Sequence, residues 1–290
     1  MGVDLHLHST ASDGAFSPEE LVEFAVELDF TAIAITDHDS MDGIVPALRS
    51  AGDFDIEVIP AVELSSDLEG RDIHFLGYFI DYKQEWFLKH LSKLRQARYE
   101  RAVKMVERLR EMGLKIALKD VLQEAGKGTV GRAHVARVMV KQGHIDSIEE
   151  AFERYIGRKA PCYVEKYVYT PKDVIKLIKR LGGIAILAHP GLSRVDEKIP
   201  EFIKYGIQGL EVYHGNHTPD DVRKYTKMAR EYGLVITGGS DCHGLGSSRG
   251  LIMGSVRVPD EVVKNLKTLK DLQKIAPEIH PHFPTRKYGK

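Results

Sequence analysis

Along the first 81 residues, short apolar runs alternate with stretches of helical periodicity. Runs over 3–7, 31–35, 56–62 and 73–80 are rich in β-branched and aliphatic residues and predict strands. Between the first two, 18–28 predicts a helix. Ser17 stands at its N-cap, Pro18 at its first position and Glu20 three residues after the cap. From about Tyr82 to Ala160 long helical patterns take over, one running from about Glu85 to Glu111 and stopping near Gly113. From Pro171 the first rhythm resumes. Helices over 171–181, 198–205 and 218–232 precede strands over 184–188, 208–213 and 234–238. Seven strands alternating with helices predict a parallel α/β architecture, a barrel of β/α units. The barrel would use 1–81 and 161–290, with 82–160 as a helical insertion.

The polar positions that interrupt these runs add chemistry. The first strand gives His6 and His8, with Asp13 just beyond; the second gives Asp37 and His38; the third Glu63. The fourth carries His74, the fifth leads to His189, and the seventh to Asp241 and His243. In a β/α barrel the strand ends converge on one rim, so residues spread over 240 positions would meet there. Side chains two apart on a strand share a face, which suits His6 with His8 and Asp241 with His243, and turns Cys242 away as a packing residue. A single histidine at a strand end is usually structural; this many, in two i, i+2 pairs, point to a metal cluster. Imidazole and carboxylate without thiolate suit manganese, zinc or iron. The donors are too many for one ion, so two or three ions sharing a carboxylate are expected. Such clusters activate water and clamp phosphate oxygens, which places phosphoester hydrolysis ahead of amide or ring hydrolysis.

Charge sharpens the division of the chain. Residues 82–160 hold 18 Lys+Arg against 10 Asp+Glu, a net of +8; the whole 290-residue chain is −1, so the remainder is −9. Charged helix faces are commonly only solvated surface, so the split alone is ambiguous. The near-neutral total argues against a nucleic-acid coat or a membrane-surface protein. Two distant cysteines, no secretory leader pattern and no long apolar stretch place the chain in the cytoplasm.

The motifs LHLHSTASDG (5–14), ITDHDS (35–40), AVELSS (61–66), DIHFLGY (72–78), AHPG (188–191) and SDCHG (240–244) resemble the PHP (polymerase and histidinol phosphatase) superfamily over nearly the whole chain. The resemblance implies a distorted seven-stranded β/α barrel with a trinuclear site. His6, His8, Glu63 and Asp241 would hold one ion, and Glu63, His74 and His189 a second. Asp13, His38 and His243 would hold the third. Asp13, Glu63, His189 and Asp241 would be the catalytic set. Manganese is the first expectation for the ions, with zinc or iron behind it.

The insertion, with GRAHVARVMV (131–140) and YIGRKAPCYV (155–164), is similar to the branch containing 3′,5′-nucleoside bisphosphate phosphatases and 5′→3′ exoribonucleases of short RNA. That similarity implies that Arg132 and His134 contact a substrate phosphate. Arg158 and His217 are further substrate candidates, and His214 falls beside them after the sixth strand. His90, His144, His280 and His282 read as surface. The substrate would be a phosphorylated nucleotide or short RNA, with neither a membrane nor an obligate protein partner. Histidinol-phosphate phosphatase is the nearest alternative. A non-catalytic module that binds nucleic acid or a partner protein is the alternative of another class.

Overall fold

The computed structural model describes residues 2–126, 128–165, 169–244 and 253–275; of the surface histidines, His280 and His282 lie outside them. The chain opens with β1 (Gly2–Leu7), α1 (Pro18–Glu27), β2 (Phe30–Ile35), α2 (Ile44–Ala51), β3 (Glu57–Leu68) and β4 (Arg71–Tyr78). Then come α3 (Glu85–Glu111), α4 (Leu118–Ala125), α5 (Arg132–Lys141), α6 (Ile148–Ala151), a π-helical turn over Phe152–Ile156, and α7 (Pro171–Arg180). The sheet resumes with β5 (Ile184–Leu187), followed by α8 (Pro190–Ser193), α9 (Ile199–Tyr205), β6 (Gly209–His214), α10 (Pro219–Glu231), β7 (Val235–Gly239) and α11 (Glu261–Ile275). Helix α1 starts where the sequence places it. Ser17 Oγ accepts the Glu20 N–H, and Glu20 Oε2 accepts the Ser17 N–H at 2.7 Å.

The seven strands pair in sequence order. The barrel is drawn together where the segment after β7 meets β1: Asp241 N–H donates to His6 O (2.9 Å) and His8 N–H to Cys242 O (3.0 Å). Alternate strand residues fill the interior, among them Leu5, Ala34, Ala61, Leu76 and Ile186. Val262, Val263, Leu266 and Leu269 of α11 join that cluster, and Lys270 Nζ caps the Phe79 carbonyl just past β4 at 3.1 Å. Helix α11 therefore stoppers the end of the barrel away from the histidines. The opposite strand faces pack outward, against α1 and α2 on one side and α7, α9 and α10 on the other.

The expectation of an all-parallel sheet is corrected at β4, which runs antiparallel to both β3 and β5. The cause is local. Only Glu69 and Gly70 join β3 to β4, both at positive φ (+51° and +93°), and a two-residue hairpin can join only antiparallel strands. Since β4 thus enters the barrel from the rim, its histidine comes early, at the fourth residue, rather than at the strand end.

Strand β1 carries a second departure. Its register with β2 shifts between Asp4 and Leu7. Val3 and Leu5 pack in the interior cluster, whereas Leu7 packs outward beside Ile33 and Ile35. The bulge changes the parity of the strand and re-aims His6 and His8 inward.

Residues 102–164 build a cluster of their own from Met105, Leu109, Ile116, Val121, Val135, Met139 and Ile156. The first turns of α3 remain with the barrel through Phe87, Leu91 and Leu94. Cys162 and Cys242 are both buried and unpaired, Cys242 among the outward-packing residues of β1 and β2. Among the described residues no helix is long and apolar enough to cross a membrane.

A Cβ on Gly239 would stand 2.3 Å from the His6 nitrogen and 2.4 Å from its Cβ. Gly239→Ala is therefore expected to destabilise the fold by roughly 1–3 kcal/mol in denaturant unfolding. An unchanged midpoint would show that β1 and β7 do not pack this closely.

Candidate metal centre

Glu63 points inward from the middle of β3 and is fully buried. Its Oε2 lies 3.3 Å from His6 Nε2, 3.2 Å from His8 Nε2 and 3.1 Å from His38 Nδ1. Its Oε1 lies 2.8 Å from His74 Nδ1 and 3.1 Å from His189 Nε2. Asp241 Oδ1 approaches His8 Nε2 at 3.1 Å and both His6 Nε2 and His243 Nδ1 at 3.5 Å. Asp13 Oδ1 stands 3.4 Å from His243 Nε2. All nine expected ligands thus converge.

Donor atoms gather within 4.8 Å of one another in the sets His6–His8–Glu63–Asp241, His8–Asp13–His38–His243 and His38–Glu63–His74. The first is the expected set, and the second is the expected third set with His8 added. In the last, His38 rather than His189 groups with Glu63 and His74, although His189 touches the same Glu63 oxygen. A further set joins His6 to Glu211 and His214.

The electrostatics prepare these groups for cations. Burial, then His243, pushes His8 down to about 4; burial takes His38 well below its ordinary range and His189 to about 3. Burial opposes charge on Glu63 and Asp13 too, but neighbouring imidazoles outweigh it and hold both well below the usual carboxylate range. Neutral imidazoles with ionised carboxylates are the ligand-ready protonation state. Both ring nitrogens of His8, Asp13 Oδ1, His38 Nδ1 and His74 Nδ1 are buried, and their close contacts with neighbouring side chains of the centre lack hydrogen-bond geometry. Each such atom costs about 1–3 kcal/mol when left unsatisfied, so the donor set fits divalent ions.

Residues 4–169 match the family model described as the PHP domain. The chain belongs to the PHP family. It is 34% identical to the Escherichia coli 5′-3′ exoribonuclease Rnm, over 83% of this chain and 84% of that protein. It is 31% identical to the 3′,5′-nucleoside bisphosphate phosphatase of Chromobacterium violaceum, over 84% and 88%. Among solved structures it is similar to a Bifidobacterium adolescentis protein of proposed metal-dependent phosphoesterase activity. The TM-score is 0.84 and the identity 30%, over 92% of this chain and 96% of the other. The seven-stranded barrel with helices is thus the PHP fold.

Beside the donors of this PHP centre runs a cleft of about 330 Å³. Asp13, His38, His74, His189 and His243 line it together with Arg98, Arg101, Arg132 and Arg137, and Arg137 Nη1 donates to the Asp13 carbonyl at 3.3 Å. Arg132 is the one of the four expected substrate-binding residues that lines this cleft. Its Nη2 lies 3.0 Å from Asp72 Oδ2, and its guanidinium lies over the rings of Phe152 (5.2 Å) and Tyr163 (5.9 Å).

The other substrate candidates are engaged elsewhere. His134 Nδ1 accepts the Gly131 N–H at 2.9 Å, capping its own helix, and burial pushes it down to about 4. Arg158 pairs with Asp67 at 2.7 Å and lies over the β3–β4 turn at Gly70. His217 has both ring nitrogens on backbone, Nδ1 donating to Val212 O (2.8 Å) and Nε2 accepting from Gly191 N (3.1 Å). None of the three lines the cleft. His90 is no bare surface residue either; it meets the Tyr169 hydroxyl.

Several residues went unread in the sequence. Glu211, fully buried on β6, accepts from His6 Nδ1 at 2.8 Å and from the His189 N–H at 2.7 Å. Burial opposes charge on His6, but Glu211 and Glu63 outweigh it and push it up to about 10. The Glu211 contact at Nδ1 turns Nε2 toward the centre, where a bound cation would take the place of the proton these carboxylates hold on His6. A glutamate inside the apolar run GLEVYH was the available signal. Asp37, adjacent to a ligand, serves the loop instead: it accepts from Ser9 N (2.8 Å), Ser9 Oγ (2.6 Å) and Ser12 Oγ (2.5 Å). Arg98, Arg101 and Arg137 had no local signature to separate them from other helix-surface cations.

Glu211→Ala should weaken manganese binding about 10–100-fold in a calorimetric titration, the usual effect of losing such a partner. Unchanged affinity would show that His6 needs no such support. A second outcome concerns pH. Because the folded-state value of His134 lies below its ordinary 6.5, the unfolded chain takes up that proton first. Stability present above pH 6.5 should be lost as pH falls from about 6.5 to about 4. His134→Asn should flatten that slope in denaturant titrations; an unaltered slope would count against a buried neutral His134.

Proposed function

We propose that this PHP protein is a metal-dependent phosphoesterase of phosphorylated nucleotides. The leading reaction is removal of the 3′-phosphate from 3′,5′-nucleoside bisphosphates, and the second 5′→3′ cleavage of short RNA. One observation carries this reading: five of the nine metal-capable donors line a single cleft together with four arginines. A lone phosphate needs the donors; a second phosphate gives the arginines a purpose. The Chromobacterium and Escherichia relatives support both reactions through their names.

Residues 1–81 and 161–290 form the catalytic barrel in this reading, and 82–160 its basic cap. His6, His8, Asp13, His38, Glu63, His74, His189, Asp241 and His243 would hold two or three divalent ions, manganese first, with Glu63 bridging. Bound ions would acidify water to supply the nucleophile and neutralise phosphate oxygens. The chain's own part is orientation. Arg132 presents a planar fork suited to a phosphate, and the incoming anion competes with Asp72 for it. Arg101 has its Nε on the Val164 carbonyl at 2.8 Å, and Arg137 its Nε on Glu124 at 3.0 Å, so both guanidiniums are positioned before substrate arrives. Burial, then Arg132, pushes Arg101 down to about 10, which leaves it cationic at neutral pH. His134 serves the cap by fixing the start of the helix that carries Arg132. The two free cysteines agree with a cytoplasmic setting.

Asp13→Ala and Glu63→Ala should abolish phosphate release from 3′-phosphoadenosine 5′-phosphate while circular dichroism shows a folded chain. Full activity in either would sink the ligand assignment. Arg132→Ala should raise KM roughly 10- to 100-fold, since hydrogen bonds to charged groups contribute about 1.5–3 kcal/mol. Faster release from histidinol phosphate than from the bisphosphate would replace the nucleotide reading.

A further inference from the structure

The cleft is not charged throughout. Its lining also includes Ile148 and Phe152 from the helical insertion and Leu192 from α8. Leu192 follows His189 by three residues and stays 42% exposed at the cleft wall. Phe152 opens the π-helical turn, a backbone irregularity that recurs at functional sites. Its ring carries the Arg132 guanidinium at 5.2 Å. A phosphate ester with a small polar alcohol has no use for such a wall. A flat, apolar, polarisable group joined to a phosphate does.

We propose that Phe152 and Leu192 form the two sides of a nucleobase slot, with Arg132 between the base and the metal rim. The inference rests on the nucleotide-phosphoesterase reading and adds which end of the substrate lies where. A base stacked on Phe152 places its 5′- or 3′-phosphate beside Arg132, and the other phosphate toward the donors around Glu63. The cleft, about 330 Å³, lies at the small end of the roughly 300–1,000 Å³ typical of ligand pockets. It suits one nucleotide unit rather than a run of them. Stacking is tolerant of base identity, because every base presents a π-face, so the slot selects nucleotides without selecting a sequence.

The test is equilibrium binding of adenosine 5′-monophosphate and of ribose 5-phosphate to the manganese-loaded protein by calorimetry. The monophosphate should bind at least about tenfold tighter, the range expected for one stacked base. Phe152→Leu keeps apolar volume against the helical cluster but removes the ring; Leu192→Ser alters an exposed side chain. Leu192→Ser should erase most of the tenfold preference while leaving ribose 5-phosphate binding unchanged; Phe152→Leu, which also removes the ring beneath Arg132, should weaken the monophosphate clearly more than ribose 5-phosphate. Equal binding of the two ligands by the parent protein, or equal weakening of both in the variants, overturns the slot. Hydrolysis is read separately. If the parent protein binds the base preferentially yet releases no phosphate from any nucleotide, the function falls and the slot stands.

Discussion

A carboxylate removed from water is tolerated only where its surroundings return the interactions it lost, and Glu63 is the point at which this barrel meets that demand. Five imidazoles, from β1, the loops after β1, β2 and β5, and the hairpin strand β4, reach its two oxygens. No short stretch of chain could supply them. The closed sheet is what brings residues 6 and 241 within 3.5 Å of each other. The cost is visible in the backbone: His189 and Asp241 both hold positive φ, +27° and +55°. Non-glycine residues there cost about 1–3 kcal/mol each and persist only where the surroundings fix them. Here the His189 N–H is held by Glu211, and the Asp241 N–H by β1.

The helical wall follows the same logic with the sign reversed. Four arginines line the cleft, and each is tethered through a carboxylate or a backbone carbonyl before any anion arrives. Arg98 is paired with Asp39, Arg132 with Asp72 and Arg137 with Glu124. Tethered guanidiniums lose little side-chain entropy when a phosphate takes over the contact. The cleft therefore brings two fixed charge fields together.

Much of this was legible in the residues. The strands, the long helix α3 and all nine donors could be read because their cause is local: apolar periodicity ended by histidine or carboxylate. What was not legible depends on pairing. The antiparallel placement of β4 follows from a hairpin between two apolar runs that also read as successive parallel strands. Glu211 serves the centre through His6, and nothing in its own neighbourhood announces a partner 205 residues away. GRAHVAR holds Arg132, which lines the cleft, yet its histidine turns back onto the Gly131 N–H, a capping role that helix geometry decides. Arg98 and Arg101 needed the folded helix to tell them from their solvated neighbours.

The antiparallel strand has one more consequence. Tyr78, the last residue of β4, pairs directly with Ile184, the first of β5. Of the hundred-odd residues between them, the start of α3 and α7 pack on the barrel, while 102–164 cluster among themselves, so the length of that inner excursion matters little to the sheet. Closing a longer or shorter excursion at a fixed gap changes the entropy only logarithmically. Descendants of such a gene can lengthen, trim or replace that excursion, and so change what enters the cleft, without disturbing the catalytic frame.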